Sequence, residues 1–125
     1  MATKSNEDKA SCPVETTLKV IGGKWKVLII HFLLEGTKRF GELARCLGRI
    51  SPRTLAQQLR ELEEDGVVIR IDYKEVPPRV EYAISPLGRT LSPILHAMGD
   101  WGEALEARQK KTKRTTRNAT PMPRA

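Results

Sequence analysis

The sequence predicts a mainly helical fold with one small β-hairpin, and three observations support this fold class. Apolar residues recur at helical spacing in glycine-separated segments up to Gly66. The spacing then changes to alternation between residues 67 and 84, and it returns to helical spacing from residue 87 to residue 105. With 125 residues, the chain is long enough for one compact domain and too short for two. This length excludes most multidomain enzymes.

Three helices are predicted in the first part of the chain. Pro13 suits a first helical position, because its ring fixes φ and its missing amide hydrogen would be unpaired there, and this helix ends at Ile21 before two glycines. Segment 24–34 is apolar on nearly every face and too long for an ordinary strand, so it is predicted as the central buried helix, closed by Gly36. A short third helix is predicted over 40–47, before another glycine.

The fourth predicted helix has the clearest boundaries in the chain. Ser51 is typical of an N-cap, Pro52 is typical of the first helical position, and Asp65-Gly66 is typical of a helix end. Its apolar stripe consists of Leu55, Leu59 and Leu62. At about 100° per residue, the side opposite this stripe carries Arg53, Gln57, Arg60 and Glu64, with Thr54 beside them. The leucines therefore anchor the helix and leave a polar face outward.

A hairpin and a helical region follow. Residues 67–74 alternate, which predicts a half-buried strand with Val67, Ile69, Ile71 and Tyr73 on one face. Prolines 77 and 78 interrupt the alternation before it resumes over 80–84, so the pair is predicted to be a hairpin with a proline-containing tip. An apolar stripe then runs from Leu87 to Leu105, and Pro93 within it predicts either a kink or two helices that meet there.

This order of elements predicts a winged helix-turn-helix, with a three-helix core, a hairpin wing and flanking helices. Only a few residues separate the third and fourth helices, and the hairpin follows directly. The domain is assigned to residues 11–107. Residues 1–10 are polar and aperiodic, and residues 108–125 are basic and threonine-rich, so both ends are predicted to be disordered tails.

The positive net charge is concentrated at the C-terminal end. The chain has 22 Lys and Arg against 15 Asp and Glu, for a formal net charge of +7. From Arg108 onward there are seven bases and no acid, so the rest has 22 − 7 = 15 bases against 15 acids and is formally neutral. A positive net charge favours binding to a polyanionic partner. The basic tail as the sole nucleic-acid contact is one alternative that the charge distribution leaves open.

The sequence offers few groups for catalysis or metal binding. Cys12 and Cys46 have no CxxC spacing, and His31 and His96 have no partner at metal-ligand spacing, so no metal and no cofactor are predicted. Neither a catalytic triad, nor a nucleotide-binding glycine loop, nor a paired carboxylate is recognisable, which argues against an enzyme. No apolar run of about 18 residues and no secretory signal pattern are present, which predicts a cytoplasmic protein.

The outward face of the fourth helix has residue types that read DNA. Arg and Gln contact base edges with two hydrogen bonds, and Thr contacts bases or phosphates. No Asp or Glu occurs from Leu43 to Arg60, a stretch that contains four arginines. Local phosphate neutralisation drives such binding, so a neutral domain with a basic surface can bind DNA. The alternative is a winged helix that serves as a protein-interaction module, with arginines that are only solvated.

Several segments, in this order, resemble the HxlR-type winged helix-turn-helix transcriptional regulators of bacteria and archaea, relatives of the MarR group. They are Cys12-Pro13-Val14, IGGKWKVLIIHFLLEGTKRFGEL from Ile21 to Leu43, ISPRTLAQQLRELEEDGVVIR from Ile50 to Arg70, PPRVEYAISPLGRTL from Pro77 to Leu91, and Trp101-Gly102. The resemblance covers about Cys12 to Leu105. Linked motifs in one order are more specific than a single pattern.

The resemblance implies a homodimer that binds a pseudo-palindromic double-stranded operator, and repression is the commoner role of such small regulators. The fourth helix would enter the major groove, and the wing would lie against the minor groove or backbone. The residues that the resemblance assigns to DNA binding are Lys38, Arg39, Ser51, Arg53, Thr54, Gln57, Arg60 and Arg79. For Arg79, a second placement within the hairpin remains open.

Dimerisation is also predicted from apolar residues in excess of what a small domain buries. These residues are Val14, Leu18, Ile94, Leu95, Met98, Trp101 and Leu105. Two copies that pack these faces would hold two recognition helices at a fixed separation. The alternative is that Met98 and Trp101 cover the core of a single chain.

Cys12 is a candidate redox sensor. It directly precedes Pro13 at a helix N-terminus, where the dipole and unpaired amides favour a thiolate. Some HxlR-type regulators have such an N-terminal cysteine that responds to oxidants, quinones or aldehydes, which implies an oxidant or small-molecule effector here. The alternative is a small apolar residue without a signalling role. Cys46 is predicted to pack in the core, next to Leu43 and Leu47.

Overall fold

The computed structural model describes residues 12–118, and side chains through residue 113. The helices are α1 (Pro13–Ile21), α2 (Lys26–Glu35), α3 (Phe40–Leu47), α4 (Pro52–Glu64), α5 (Pro86–Arg89) and α6 (Ser92–Asn118), and the strands are β1 (Lys38–Arg39), β2 (Val68–Asp72) and β3 (Val80–Ile84). The predicted fold class is confirmed, since helices dominate and the three strands form one small antiparallel sheet. None of these helices is long and apolar enough to cross a bilayer.

The chain divides into two compact units, one ending at Ser92 and the other starting at Pro93. The core of the first unit is made by aliphatic side chains from α2, α3 and α4, which are fully buried: Ile29, Ile30, Leu33, Leu43, Leu55, Leu59 and Leu62. All three leucines of the α4 stripe belong to this set. Burying one such side chain stabilises the fold by about 1.5–3 kcal/mol. The stripe therefore fixes which side of α4 faces outward.

The sheet has the order β1-β3-β2. In its register, Val68 is opposite Ile84 and Lys38 is opposite Tyr82. The predicted hairpin is confirmed, but β1 was not expected, because two residues are too few to show alternation. β1 links the segment that leads into α3 to the outer side of the hairpin.

The burial of β2 differs from the predicted alternation. Val68 is buried, whereas Ile69 is 43% exposed. Val67 is also buried, but it lies between α4 and the strand, where its N–H donates to the Leu62 carbonyl of α4 at 3.0 Å. The strand thus starts one residue later than the sequence pattern indicated, and within it only Val68 is buried and only Ile71 is half-buried.

Ser85 connects the end of α4 to the start of α5. Its buried hydroxyl donates to the Gly66 carbonyl at 2.6 Å and accepts from the Gly88 N–H at 2.9 Å. Gly66 has φ +78°, a left-handed conformation that favours glycine at a helix end. A side chain at Gly88 would collide with the Val67 carbonyl oxygen and Ile84. These contacts fix the base of the hairpin.

The second unit is built on α6, which corrects one prediction. The tail was expected to be disordered from residue 108, but the helix continues to Asn118. Residues 103–118 contain no glycine or proline and are rich in Ala, Glu, Gln, Lys and Arg, which favour helix. Of the two options at Pro93, the structure has two helices, because α5 ends at Arg89 and α6 begins at Ser92. The predicted N-terminal tail and residues 119–125 lie outside the described residues.

Candidate nucleic-acid interface

The start of α4 is capped as the sequence predicts. Ser51 Oγ accepts from the Thr54 N–H at 3.1 Å and donates to Thr54 Oγ1 at 2.9 Å. Pro52 occupies the first turn. Because Ser51 uses its hydroxyl hydrogen in the cap, the Thr54 hydroxyl hydrogen is the one left to donate to another group.

Arg53 differs from the other predicted base-reading residues in having no partner of its own among the described side chains. Its side chain is exposed, and it has no hydrogen bond or ion pair within the part of the chain that the structure describes. The first turn of α4 contains no acid. A helix N-terminus also carries the positive end of the helix dipole. This part of the helix is therefore suited to an anionic ligand.

Gln57 and Arg60 are exposed but held by neighbours. Gln57 Oε1 accepts from Arg60 Nη1 at 2.9 Å, and Gln57 Nε2 donates to Glu61 Oε2 at 2.7 Å. Glu61 also pairs with Lys26 of α2, with 2.6 Å between Nζ and Oε1. The hydrogen bond from Gln57, followed by Lys26, holds the pKa of Glu61 below the usual glutamate value.

The sequence prediction missed Lys26 and Glu61. The spacing of Gln57 and Glu61, four residues apart on one helix, was a usable signal for their contact. The contact with Lys26 joins residues 35 positions apart (61 − 26) on two helices, and no local pattern indicates it.

The wing holds its predicted arginine in place. The Arg79 guanidinium carbon lies 3.8 Å from the centre of the Tyr73 ring, and Arg79 also pairs with Glu75 at 3.8 Å and Glu81 at 3.6 Å. Tyr73 donates its hydroxyl to Glu81 at 2.8 Å. The close contact with Tyr73 is the main cause that raises the pKa of Arg79. The structure thus has the second placement left open above, within the hairpin.

Lys38 and Arg39 are adjacent on β1 but differ in exposure. The Lys38 side chain is 19% exposed and lies 4.0 Å from Glu35. Arg39 is exposed, and its backbone N–H donates to Glu42 Oε1 at 2.7 Å, which caps α3. Of the two side chains, Arg39 is the one accessible to a phosphate.

Most of the residues predicted for dimerisation are exposed in the single chain. On α1, Val14 is 62% exposed and Leu18 is also exposed. On α6, Trp101 is 69% exposed, Leu95 is half-buried, and the other predicted residues are exposed: Ile94, Met98 and Leu105. Each of the two helices therefore presents apolar side chains to solvent in the single chain.

Both cysteines are free and exposed. Cys12 is the N-cap residue of α1, as predicted, and its side chain makes no cap hydrogen bond. The prediction that Cys46 packs in the core is wrong. Leu43 is the buried residue of α3, and Cys46 lies to the side of it, where the helix remains exposed. Residues 12–118 contain no group of three His, Cys, Asp or Glu side chains arranged to hold a metal.

Together, the anchored α4, its basic outward face and the hairpin define a winged helix-turn-helix DNA-binding protein. A family model described as HxlR-like helix-turn-helix matches residues 20–110, and the chain belongs to this family. Its relatives are transcriptional regulators and not enzymes, and this chain is a DNA-binding transcriptional regulator.

Three similar proteins illustrate the relationship. The HTH-type transcriptional regulator YdeP of Bacillus subtilis is 50% identical over 107 residues, or 86% of this chain and 84% of the relative. The redox regulator HypR in its oxidised form is 53% identical with a TM-score of 0.71, covering 74% of this chain and 96% of HypR. The reduced form of the transcriptional regulator YodB from B. subtilis is 35% identical with a TM-score of 0.67. This match covers 74% of this chain and 92% of YodB.

Proposed function

We propose that this protein is a homodimeric repressor that binds a pseudo-palindromic operator in the cytoplasm and loses affinity for it when Cys12 is oxidised. The observation that carries the DNA-binding part is Arg53, which is exposed and has no partner among the described side chains. It lies at the acid-free start of a helix whose other side is anchored by three buried leucines. Its guanidinium is free to donate two hydrogen bonds to a guanine edge.

The neighbouring residues have complementary proposed roles. Thr54 and Gln57 contact adjacent bases or phosphates, and Ser51 positions the helix start rather than reading a base. Arg39 contacts a phosphate beside the recognition helix. Because Lys38 and Arg79 are held by carboxylates of the same chain, they contribute less to binding.

A binding selection tests this proposal. The full chain is incubated with duplexes that have a randomised centre, and the bound duplexes are sequenced and titrated with salt. We expect a two-fold symmetric motif and an affinity that falls steeply as salt rises. Arg53→Ala should flatten the preference at one base pair of each half-site, at a cost of about 1–3 kcal/mol.

Arg89→Ala is the matched control, because Arg89 is exposed on α5 and its removal changes the net charge equally. It should weaken binding to all duplexes slightly and leave the motif unchanged. An absence of any motif for the wild-type chain would refute sequence-specific binding and would favour the protein-interaction module instead.

The exposed apolar residues of α1 and α6 support the homodimer. Two copies that bury Val14, Leu18 and Trp101 would hold two α4 helices for half-sites about 34 Å apart, one turn of DNA. Sedimentation of the wild-type chain at micromolar concentration should show a dimer, and Trp101→Ser should shift it towards monomer. Val76→Ser is the control, since Val76 is also exposed and apolar but lies at the wing tip. A wild-type monomer would contradict this part.

The redox part is supported by the exposed N-cap position of Cys12 and by the similarity to HypR, a redox regulator. Treatment with diamide should reduce operator binding of the wild-type chain and have no effect on Cys12→Ser. Cys46→Ser is the control, because it removes the other exposed thiol. If diamide weakens Cys12→Ser as strongly as wild type, Cys12 is not the sensor.

A further inference from the structure

Four side chains form a continuous polar chain that runs from α2 to the outward face of α4. Lys26 pairs with Glu61 at 2.6 Å, Glu61 accepts from Gln57 at 2.7 Å, and Gln57 accepts from Arg60 at 2.9 Å. We call this set, Lys26, Glu61, Gln57 and Arg60, the Gln57 clamp. Two of its members are predicted DNA contacts, and the other two are not.

Lys26 occupies an unusual place for a cation. It is the first residue of α2, where the helix dipole disfavours positive charge, and its side chain is 12% exposed. Its own helix therefore does not stabilise it. The Glu61 carboxylate compensates for this, and the ion pair in return ties Glu61 to the start of α2.

The clamp specifies the orientation of the Gln57 amide. An amide's oxygen and nitrogen ends have similar shapes, and an exposed Gln normally turns over freely. A carboxylate only accepts hydrogen bonds and a guanidinium only donates them. Glu61 therefore selects the nitrogen end of Gln57, and Arg60 selects the oxygen end, so both neighbours favour the same orientation.

The amide retains hydrogen-bonding capacity in this orientation. One amide hydrogen and one lone pair of the oxygen are not used within the clamp. An unused amide hydrogen and an unused oxygen lone pair are the donor and the acceptor that N7 and N6 of adenine require in the major groove. Arg60 likewise has donors beyond the one bound to Gln57.

We propose that Lys26 and Glu61 are positioning residues that set base preference by orienting Gln57 and Arg60 before DNA binds. This inference rests on the proposed function, in which α4 reads an operator. A side chain that is already ordered does not lose rotamer freedom on binding, which would otherwise reduce affinity for the preferred base by about two- to tenfold. The residues themselves do not touch DNA.

The test compares Glu61→Ala with Glu64→Ala in the duplex selection with a randomised centre. Both variants remove one acid from α4, and Glu64 is exposed, so their general electrostatic effect is matched. Glu61→Ala should reduce discrimination about two- to tenfold at the base pair that Gln57→Ala also affects. The double variant of Gln57 and Glu61 should discriminate no worse than Gln57→Ala alone, and Glu64→Ala should keep the wild-type preference.

Lys26 provides the second comparison and guards against a folding defect. Lys26→Arg keeps the ion pair and should retain the preference, whereas Lys26→Met keeps the aliphatic stem and should lose part of it. Circular dichroism and thermal unfolding show whether each variant is folded. A purely structural clamp would alter unfolding without changing base preference.

The outcomes separate this inference from the proposed function. If Glu61→Ala changes affinity for all duplexes by the same factor as Glu64→Ala, the positioning role is wrong while operator reading stands. The positioning role is also wrong if Arg53→Ala alters the selected motif while Lys26→Met and Glu61→Ala both leave it unchanged. If the wild-type chain selects no motif, operator reading itself fails.

Discussion

Arg53 on α4 and Arg79 on the wing are both arginines at predicted DNA contacts, but they differ in what surrounds them. Arg53 is exposed and has no partner within residues 12–118, whereas Arg79 stacks on Tyr73 between two glutamates. The neighbours explain the difference: the start of α4 contains no acid, while acids lie on both sides of the hairpin tip. Residue type alone therefore does not show which arginine is available to a phosphate or a base.

The largest expected effect comes from removing the anchor of α4. Leu59→Ala should lower the free energy of unfolding by about 2–5 kcal/mol, because it leaves a cavity in a fully packed core. Urea denaturation measures the change. Gln58→Ala, on the same helix but only half-buried, should change stability far less. Similar losses for both variants would show that α4 is not anchored by its leucine stripe, and Arg53 would lose its defined outward position.

The next effect compares the two arginines directly. Arg53→Ala and Arg79→Ala remove the same charge, yet Arg53→Ala should weaken binding to the selected operator by about 1–3 kcal/mol more. Fluorescence anisotropy at constant salt measures both affinities. Equal losses would show that Arg79 leaves Tyr73 when DNA binds.

Glu81→Gln sharpens this comparison. Removing the Glu81 charge takes away one of the two carboxylates that hold Arg79. We expect a modest, salt-sensitive gain in DNA affinity from the released guanidinium. The gain in affinity should be smaller when Glu81→Gln is made in the Arg79→Ala variant. If the gain is equally large with and without Arg79, it comes from the loss of a negative charge and not from release of the guanidinium.

The smallest expected effect concerns the pKa of Glu61. Its lowered pKa in the folded chain means that Glu61 stabilises the fold above the ordinary glutamate range near pH 4.3, and that this contribution is lost as pH falls through the lowered value. A carboxyl-carbon NMR titration should show the low pKa. Gln57→Ala should raise the pKa, because the Gln57 hydrogen bond is its largest single cause, and Lys26→Met should also raise it, because it removes a second hydrogen bond and a positive charge. An unchanged titration in both variants would contradict the clamp geometry.

The helices could be predicted from sequence because their signals are local. Ser51, Pro52 and Gly66 mark the ends of α4, and the leucine spacing marks its buried side, so both bounds and orientation were correct. β1 and the burial of Val68 could not be predicted in this way. Both depend on pairing with β3, which lies far along the sequence. The end of α6 differs from the prediction because the helix propensity of residues 108–118 outweighs the repulsion among their positive charges.

The candidate site was predicted less completely than the fold. Residue types on the outward face of α4 were readable from the helical phase, which is why Arg53 and Gln57 were identified. The sequence did not show which predicted DNA contacts already have partners within the protein. Lys26 reaches Glu61 beside Gln57, and Tyr73 reaches Arg79, only in the folded chain. The exposure of Cys46 could not be predicted either. A helix of eight residues has too few apolar positions to show which of its sides the rest of the fold covers.

The two-residue strand β1 has a mechanical consequence. Arg39 pairs with Glu81 in the sheet, and its own amide is bonded to Glu42 in the first turn of α3. The same residue therefore belongs both to the sheet that carries the wing and to the cap of the helix before α4. This shared residue ties the position of the wing to the start of α3 independently of the leucine core.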